Sequence, residues 1–435
     1  MINRSSLLSI LMMASIFAGC TSSETDVYQS VSFTDTDPAA VGVSADSLAR
    51  VTAFLDQMIQ DDKIPGAVAL VMKDGRIAYS YTNGHADLER NQPMQSDHLF
   101  RIASMTKPIT SVAVLMLAER GELSVDDPVY RYIPEFENAR IITGYDEEQQ
   151  TWETEPAREA VTIHHLLTHT SGVAYGFVDE QMGRLYREAG VPDGTVFDGR
   201  TLEQTMAALG GLPLRHHPGQ RWTYGLSTDV LGRVIEVVSG RTLEQFFEEE
   251  IFTPLEMRDT GFNLNSEQQQ RLVAMYRNPS PGELQRVSQL SVGRSNGLDM
   301  EALPEVTYFS GGSGLVSSAL DYQRFLQMLL NRGELNGVRL FEEETAALLF
   351  ENQIGELRTG GEAFTYAFGR TMADTEPQLG RLPGRLQWGG LFQTKFWIDP
   401  ERQLTAVLMS QVYPSAHRNE FYDEFEKQIN RALLQ

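Results

Sequence analysis

The apolar positions of this chain alternate between a helical and a strand period, and the switches outline its elements. Residues 47–59 place Leu48, Val51, Phe54, Leu55, Met58 and Ile59 three and four apart, which predicts an amphipathic helix. Residues 66–72 and 76–81 are strand-like runs joined by Lys73-Asp74-Gly75, a hairpin signal. The run from Val112 to Ala118, closed by Gly121, predicts a helix apolar on every side and therefore buried. From 122 to 305 the pattern breaks into loops bearing Pro, Gly and charge, with helices predicted at 162–167, 202–209 and 227–238. Beyond it, a helix is predicted at 320–331, strands at 367–371, 386–389, 394–398 and 404–410, and a closing amphipathic helix at 419–434. The first and last segments are thus expected to share one sheet (41–121 with 306–435), with 122–305 inserted as a mostly helical lobe. The junction of two such lobes is where a ligand cleft is expected.

The N-terminus follows a different pattern. Arg4 precedes an apolar stretch over 7–17 that is too short to span a bilayer, and Ala18-Gly19-Cys20 ends it, so residues 1–20 read as a targeting segment. Cys20 is the one cysteine, which excludes an internal disulfide. Its position resembles a bacterial lipoprotein processing site, which implies lipidation at Cys20 and membrane attachment through that lipid alone. Residues 21–40, rich in Ser, Thr and Asp, are expected to form a disordered tether ahead of a domain at 41–435. The formal charge of −23 argues against binding nucleic acid or anionic lipid through surface charge.

Candidate chemistry begins at Ser104 and Lys107. On a helix, residues three apart share a face, so the hydroxyl and the amine can converge, and a serine beside a lysine is an activated nucleophile where burial holds the amine partly neutral. Pro108 suits a first helical turn, and Ser104 at the N-terminal end would face backbone N–H groups that favour developing negative charge. The three histidines His164, His165 and His169 lack the Glu of a His-Glu-x-x-His zinc site. Gly311 to Gly314 lacks Walker or dinucleotide spacing, and no Gly-x-Ser-x-Gly elbow occurs. No cofactor and no metal are called for.

Ser-x-x-Lys is the nucleophile motif of β-lactamases and penicillin-binding proteins. With it come Leu166-Leu167-Thr168-His169-Thr170-Ser171-Gly172, Pro218-Gly219-Gln220-Arg221-Trp222-Thr223-Tyr224, Asp229-Val230-Leu231-Gly232, Gly311-Gly312-Ser313-Gly314-Leu315 and Trp388-Gly389-Gly390 with Phe396-Trp397-Ile398-Asp399-Pro400. Together, from about 41 to about 413, they resemble the class C β-lactamase-related serine hydrolases, and most of all the family VIII carboxylesterases. The resemblance implies an α/β (α+β) fold of the β-lactamase and penicillin-binding-protein kind, with an antiparallel sheet flanked by helices and a mostly helical lobe. It implies that Tyr224 shares protons with Lys107 and acts as base, then as acid. A phenol is a poor base at its ordinary pKa near 10, so this role needs a nearby cation. It also implies an oxyanion hole formed by the N–H groups of Ser104 and Leu391, and substrate contacts along Trp388, Gly389 and Gly390 and at Leu226.

Two positions depart from the β-lactamase pattern. Leu226 stands where many β-lactamases have an amide-bearing asparagine, and Trp388 stands where a cation would hold a substrate carboxylate. Gln393 replaces a glycine usual in the esterases, which bears on the pocket's shape. The expected activity is hydrolysis of short-chain neutral esters, small molecules, through an acyl-enzyme on Ser104. The alternatives are a β-lactamase or D-amino-acid peptidase, and an idle penicillin-binding-like sensor.

Overall fold

Val68, Leu70 and Met72 alternate with Ala67, Ala69 and Val71 along the strand Gly66–Lys73, and both sets are buried. A strand covered on both faces reads as a continuous apolar run for this reason. The strand lies inside a nine-stranded sheet in the computed structural model, which describes residues 31–433 apart from 150, 195–198, 281, 293, 294, 302 and 375–378. The main path runs Ser32–Asp35, Arg76–Asp87, Gly66–Lys73, Leu404–Met409, Thr394–Asp399, Leu386–Gly390, Gly369–Arg370, Ala363–Phe364. Early and late segments therefore interleave, with Val68 opposite Met409 and Lys73 opposite Leu404.

One face of the sheet, through Ala67, Ala69, Val71, Trp397 and Leu408, packs against the helices Ala45–Gln60 and Arg418–Ala432. The other face, through Leu70, Met72, Phe396 and Val407, joins the larger core that includes Thr106–Glu119 and Ala319–Leu330. In the helix Thr106–Glu119, residues 106–117 are all buried, as its uniform apolarity predicts.

Three expectations change. The tether is expected to reach residue 40, but Ser32–Asp35 pairs in parallel with Arg76 and Ile77 at the sheet edge, and Pro38–Val41 forms a 3-10 turn capped by Asp37. Val31 and Val41 are buried there, in the cores on the two faces of the sheet, and this apolar burial, scattered among Ser, Thr and Asp, is what orders the segment. The same parallel edge strand makes the sheet mixed. The segment 122–305 also carries hairpins, Arg140–Asp146 with Thr151–Pro156 and Gln289–Val292 with Ser295–Asp299, beside its helices. The first of them is mostly exposed or half-buried, so its sequence shows no apolar alternation to reveal it. The targeting segment and Cys20 lie outside the described residues.

Candidate active site

Ser104 lies in a 3-10 turn, Ala103–Met105, that runs directly into Thr106–Glu119, and its side chain is half-buried at the mouth of a cleft. The turn is held from several sides. Phe100–Arg101 pairs with Val316–Ser317, the Ile102 N–H donates to the Leu315 carbonyl at 3.1 Å, and the Leu315 N–H donates to Thr106 Oγ1 at 3.2 Å. Arg101, itself buried, donates to the carbonyls of Val273 and Met300. These bonds fix Ala103 at φ +44°, a left-handed conformation costing an ordinary residue on the order of 1 kcal/mol, in the residue before the candidate nucleophile. Across the turn lies Leu386–Gly390. A Cβ on Gly390 would overlap the Ile102 carbonyl oxygen, so only glycine lets the strand approach the serine turn this closely.

Lys107 is 2% exposed, and its Nζ donates to Ser104 Oγ at 3.3 Å, to the Tyr175 hydroxyl at 3.0 Å and to the Gly312 carbonyl at 2.7 Å. The ammonium also stands 4.6 Å from the ring centroid of Tyr224, over its π-face. Tyr224 comes from the loop before Ser227–Ser239, as its sequence suggests, and its carbonyl accepts from the Tyr175 N–H at 3.2 Å. Gly225 makes this possible: a Cβ there would overlap the Val173 carbonyl and lie 2.5 Å from Ala174 Cα. Ser104, Lys107 and Tyr224 thus meet although they are distant in the chain.

Tyr175 is the functional residue that sequence reasoning missed. It is fully buried, and burial pushes its phenol well above the ordinary range, with the Asp229 carboxylate adding to the effect, so it stays a neutral acceptor for Lys107. Its only sequence signal is its place just after the Thr-His-Thr-Ser-Gly segment.

The cleft has a volume of about 460 Å³ and is lined by Ser104, Tyr175, Tyr224, Trp388, Gly389 and Leu391, with Phe177, Met300, Leu303 and Phe392 adding an apolar wall. Trp388 packs on Tyr224 and Phe364, at 5.6 and 5.4 Å between ring centroids. Trp222 stacks on Tyr224 at 5.8 Å, and His169 packs on it at 5.0 Å. Burial, then the Lys107 charge, holds the His169 imidazole well below the usual histidine range, so this ring is a neutral buttress. His165 closes the cap of the helix Ile163–Leu167, and His164 meets the Tyr366 hydroxyl, so the three histidines point to different tasks.

Leu226 is corrected. It is fully buried in the core and does not line the cleft, because an apolar side chain at the start of Ser227–Ser239 gains more by joining the core than by facing a wet cleft. Gly390 likewise serves the close strand approach and is not part of the cleft wall. Gln393 is buried at φ +69° and its carboxamide makes no hydrogen bond; it too is outside the wall.

A serine, a buried lysine and two phenols from loops, gathered at the start of Thr106–Glu119 beside the strand Leu386–Gly390, fit the Ser-x-x-Lys arrangement of a serine hydrolase. The chain belongs to the Beta-lactamase family, whose model matches residues 51–430. It is similar to Esterase EstB of Burkholderia gladioli, 35% identical over 86% of this chain and 93% of that protein. It is also similar to Monacolin J acid methylbutanoyltransferase of Aspergillus terreus, 26% identical over 85% of this chain and 92% of that protein. Among solved structures, EstCE1, a hydrolase with promiscuous acyltransferase activity, matches with a TM-score of 0.76 and 28% identity, covering 90% of this chain and 99% of the other. The chain is an enzyme of the serine-hydrolase type.

Proposed function

We propose that Ser104 is the nucleophile of a serine carboxylesterase, within the family VIII branch, that takes short esters uncharged at the reacting end. Ser104 Oγ attacks the ester carbonyl carbon while Tyr224, acting with Lys107, takes its proton as base and then gives it to the departing alcohol as the acyl C–O bond breaks. The resulting oxyanion rests on the N–H groups of Ser104 and Leu391, a contact of this type supplying several kcal/mol. Water then cleaves the acyl-enzyme with the same groups acting in reverse. The observation that carries this reading is the 3.3 Å bond from Lys107 to Ser104 at the mouth of a cleft that Tyr224 also lines.

A second outcome for the same acyl-enzyme is transfer to an alcohol rather than to water. The apolar wall of Phe177, Met300, Leu303 and Phe392 favours it by giving an organic acceptor a surface to bury. The acylation half-reaction is common to both.

Labelling with a fluorophosphonate, located by mass spectrometry, tests the assignment. The adduct is expected on Ser104, and Ser104→Ala is expected to remain folded and inert towards p-nitrophenyl esters. An adduct on another serine, or a fully active Ser104→Ala, overturns it.

The short apolar leader and Cys20 support export and lipid anchoring in the cell envelope. Cys20→Ser is expected to move the protein out of the detergent phase when it is expressed with its leader in a bacterial host.

A further inference from the structure

The three hydrogen-bond acceptors of the Lys107 ammonium, Ser104 Oγ, the Tyr175 hydroxyl and the Gly312 carbonyl, are all uncharged. A buried ammonium with no anion nearby is costly enough to lose its proton. Asp229 lies in the first turn of Ser227–Ser239 and is fully buried in an otherwise apolar stretch with Val230, Leu231, Val234 and Ile235. Its Oδ1 accepts from Ser310 Oγ at 2.6 Å and from the Tyr308 hydroxyl at 3.2 Å, while Oδ2 makes no hydrogen bond of normal geometry.

What separates this carboxylate from the lysine is one glycine. Gly312 gives its carbonyl to Lys107, and a Cβ on it would lie 2.5 Å from Asp229 Oδ2 and 3.0 Å from the Tyr175 hydroxyl. Thr228 Oγ1 lies beside them, 3.1 Å from the same point. The other groups around the pair carry little charge of their own. Burial keeps Tyr175 and Tyr308 as neutral phenols and His169 as a neutral imidazole. Tyr224 faces Lys107 with its ring. Asp193 and Arg200 act one step further out, on Tyr175 and Tyr308 respectively. Burial pushes the Asp229 carboxyl up, while Ser310, Lys107, Tyr308 and the Gly312 backbone N–H act against it in that order.

We propose that Asp229 is the buried counter-charge of Lys107, a positioning residue that holds the lysine against Ser104 and the Tyr224 ring. The proposal rests on the assignment of Ser104, Lys107 and Tyr224 made above. Asp229 touches neither substrate nor the reacting atoms. It acts across Gly312.

Asp229→Asn keeps the shape and removes the charge, and Asp229→Ser removes the charge with less bulk. In both, one limb of the kcat/KM profile against pH is expected to move down, because removing a buried anion disfavours the charged form of a cation beside it. At neutral pH, kcat is expected to fall at least about tenfold while KM stays within about twofold. Fluorophosphonate labelling of Ser104 in the variants shows that the site is still assembled. Limbs that stay in place, or move upward, overturn the proposal, and so does a fold that neither substitution survives, which would leave the carboxylate a purely structural task. If wild-type labelling falls on another serine, the assignment of the site fails instead. The two failures are therefore distinct.

Discussion

The ammonium of Lys107 donates to the hydroxyl of Tyr175 at 3.0 Å, a shorter bond than the 3.3 Å one it makes to Ser104 Oγ. The lysine is thus steered by a phenol from a loop as well as by its own helix, and its place over the Tyr224 ring follows from that anchoring.

Tyr175→Phe keeps the ring packing and deletes one acceptor. It is expected to lower kcat roughly tenfold, about 1.4 kcal/mol, the scale of a single hydrogen bond to a charged group. Lys107→Ala and Tyr224→Phe should each cost orders of magnitude, and the double variant little more than either, since members of one proton network act as a unit. Steady-state kinetics of the four variants on one ester, arranged as a cycle, measure this; additive losses would contradict it.

Substrate preference follows from Trp388, whose indole lines the cleft beside Tyr224 where a cation would hold a carboxylate. The indole itself offers the carboxylate of an anionic β-lactam no charge partner. The kcat/KM for short p-nitrophenyl esters is expected to exceed that for penicillins and cephalosporins by about a hundredfold or more, the ~3 kcal/mol of a lost charged partner. Efficient cephalosporin turnover beside negligible esterase activity would reverse the assignment and favour a β-lactamase.

Gly225→Ala tests the crossing of two loops that places Tyr224. The added methyl overlaps the Val173 carbonyl, so a loss of about 1–3 kcal/mol in denaturant melts is expected, together with reduced kcat as Tyr224 shifts. Gly211→Ala is the control. A Cβ there meets only the Ala208 carbonyl at 3.7 Å, and stability should stay within about 0.5 kcal/mol.

The back of the sheet predicts an acid dependence. Glu426, fully buried on Arg418–Ala432, takes ion pairs from Arg381 at 2.6 Å, from Lys395 at 2.8 Å and from Arg385. Burial by itself raises its carboxyl, but Arg385, then Lys395 and Arg381, outweigh this and hold it far below the usual range. A depressed carboxyl stabilises the fold above its unfolded pKa of about 4.3 and loses that contribution as pH falls towards the folded value. Glu426→Gln is therefore expected to destabilise by about 3–5 kcal/mol at pH 7, with the gap to wild type narrowing between about pH 5 and pH 3 in thermal melts. A gap independent of pH would show that the carboxylate's charge does not matter.

Much of the architecture is legible in local pattern. The uniformly apolar run after Lys107 becomes a buried helix, and the predicted ends of 227–238 and 404–410 fall within one residue of the observed Ser227–Ser239 and Leu404–Met409. Periodicity works there because packing on a flat sheet face or a helix stripe leaves a regular imprint on residue choice. The hairpin over 140–156 leaves none, because few of its residues are buried.

The site divides in the same way. Ser104 and Lys107 are joined by helix geometry three residues apart, so the sequence alone determines that they converge, and the motifs around them imply Tyr224, Leu391 and Trp388. Tyr175 and Asp229 contact or face the same lysine only because the fold brings residues 68 and 122 positions down the chain back to it. Leu226 shows the reverse: its position in the motif suggests a substrate contact, but burial in the core wins. Local periodicity records which face of an element is apolar; it carries no record of which loops cross. Those crossings were decided in three dimensions, by glycines 225, 312 and 390, where the absence of a side chain lets one backbone approach another group.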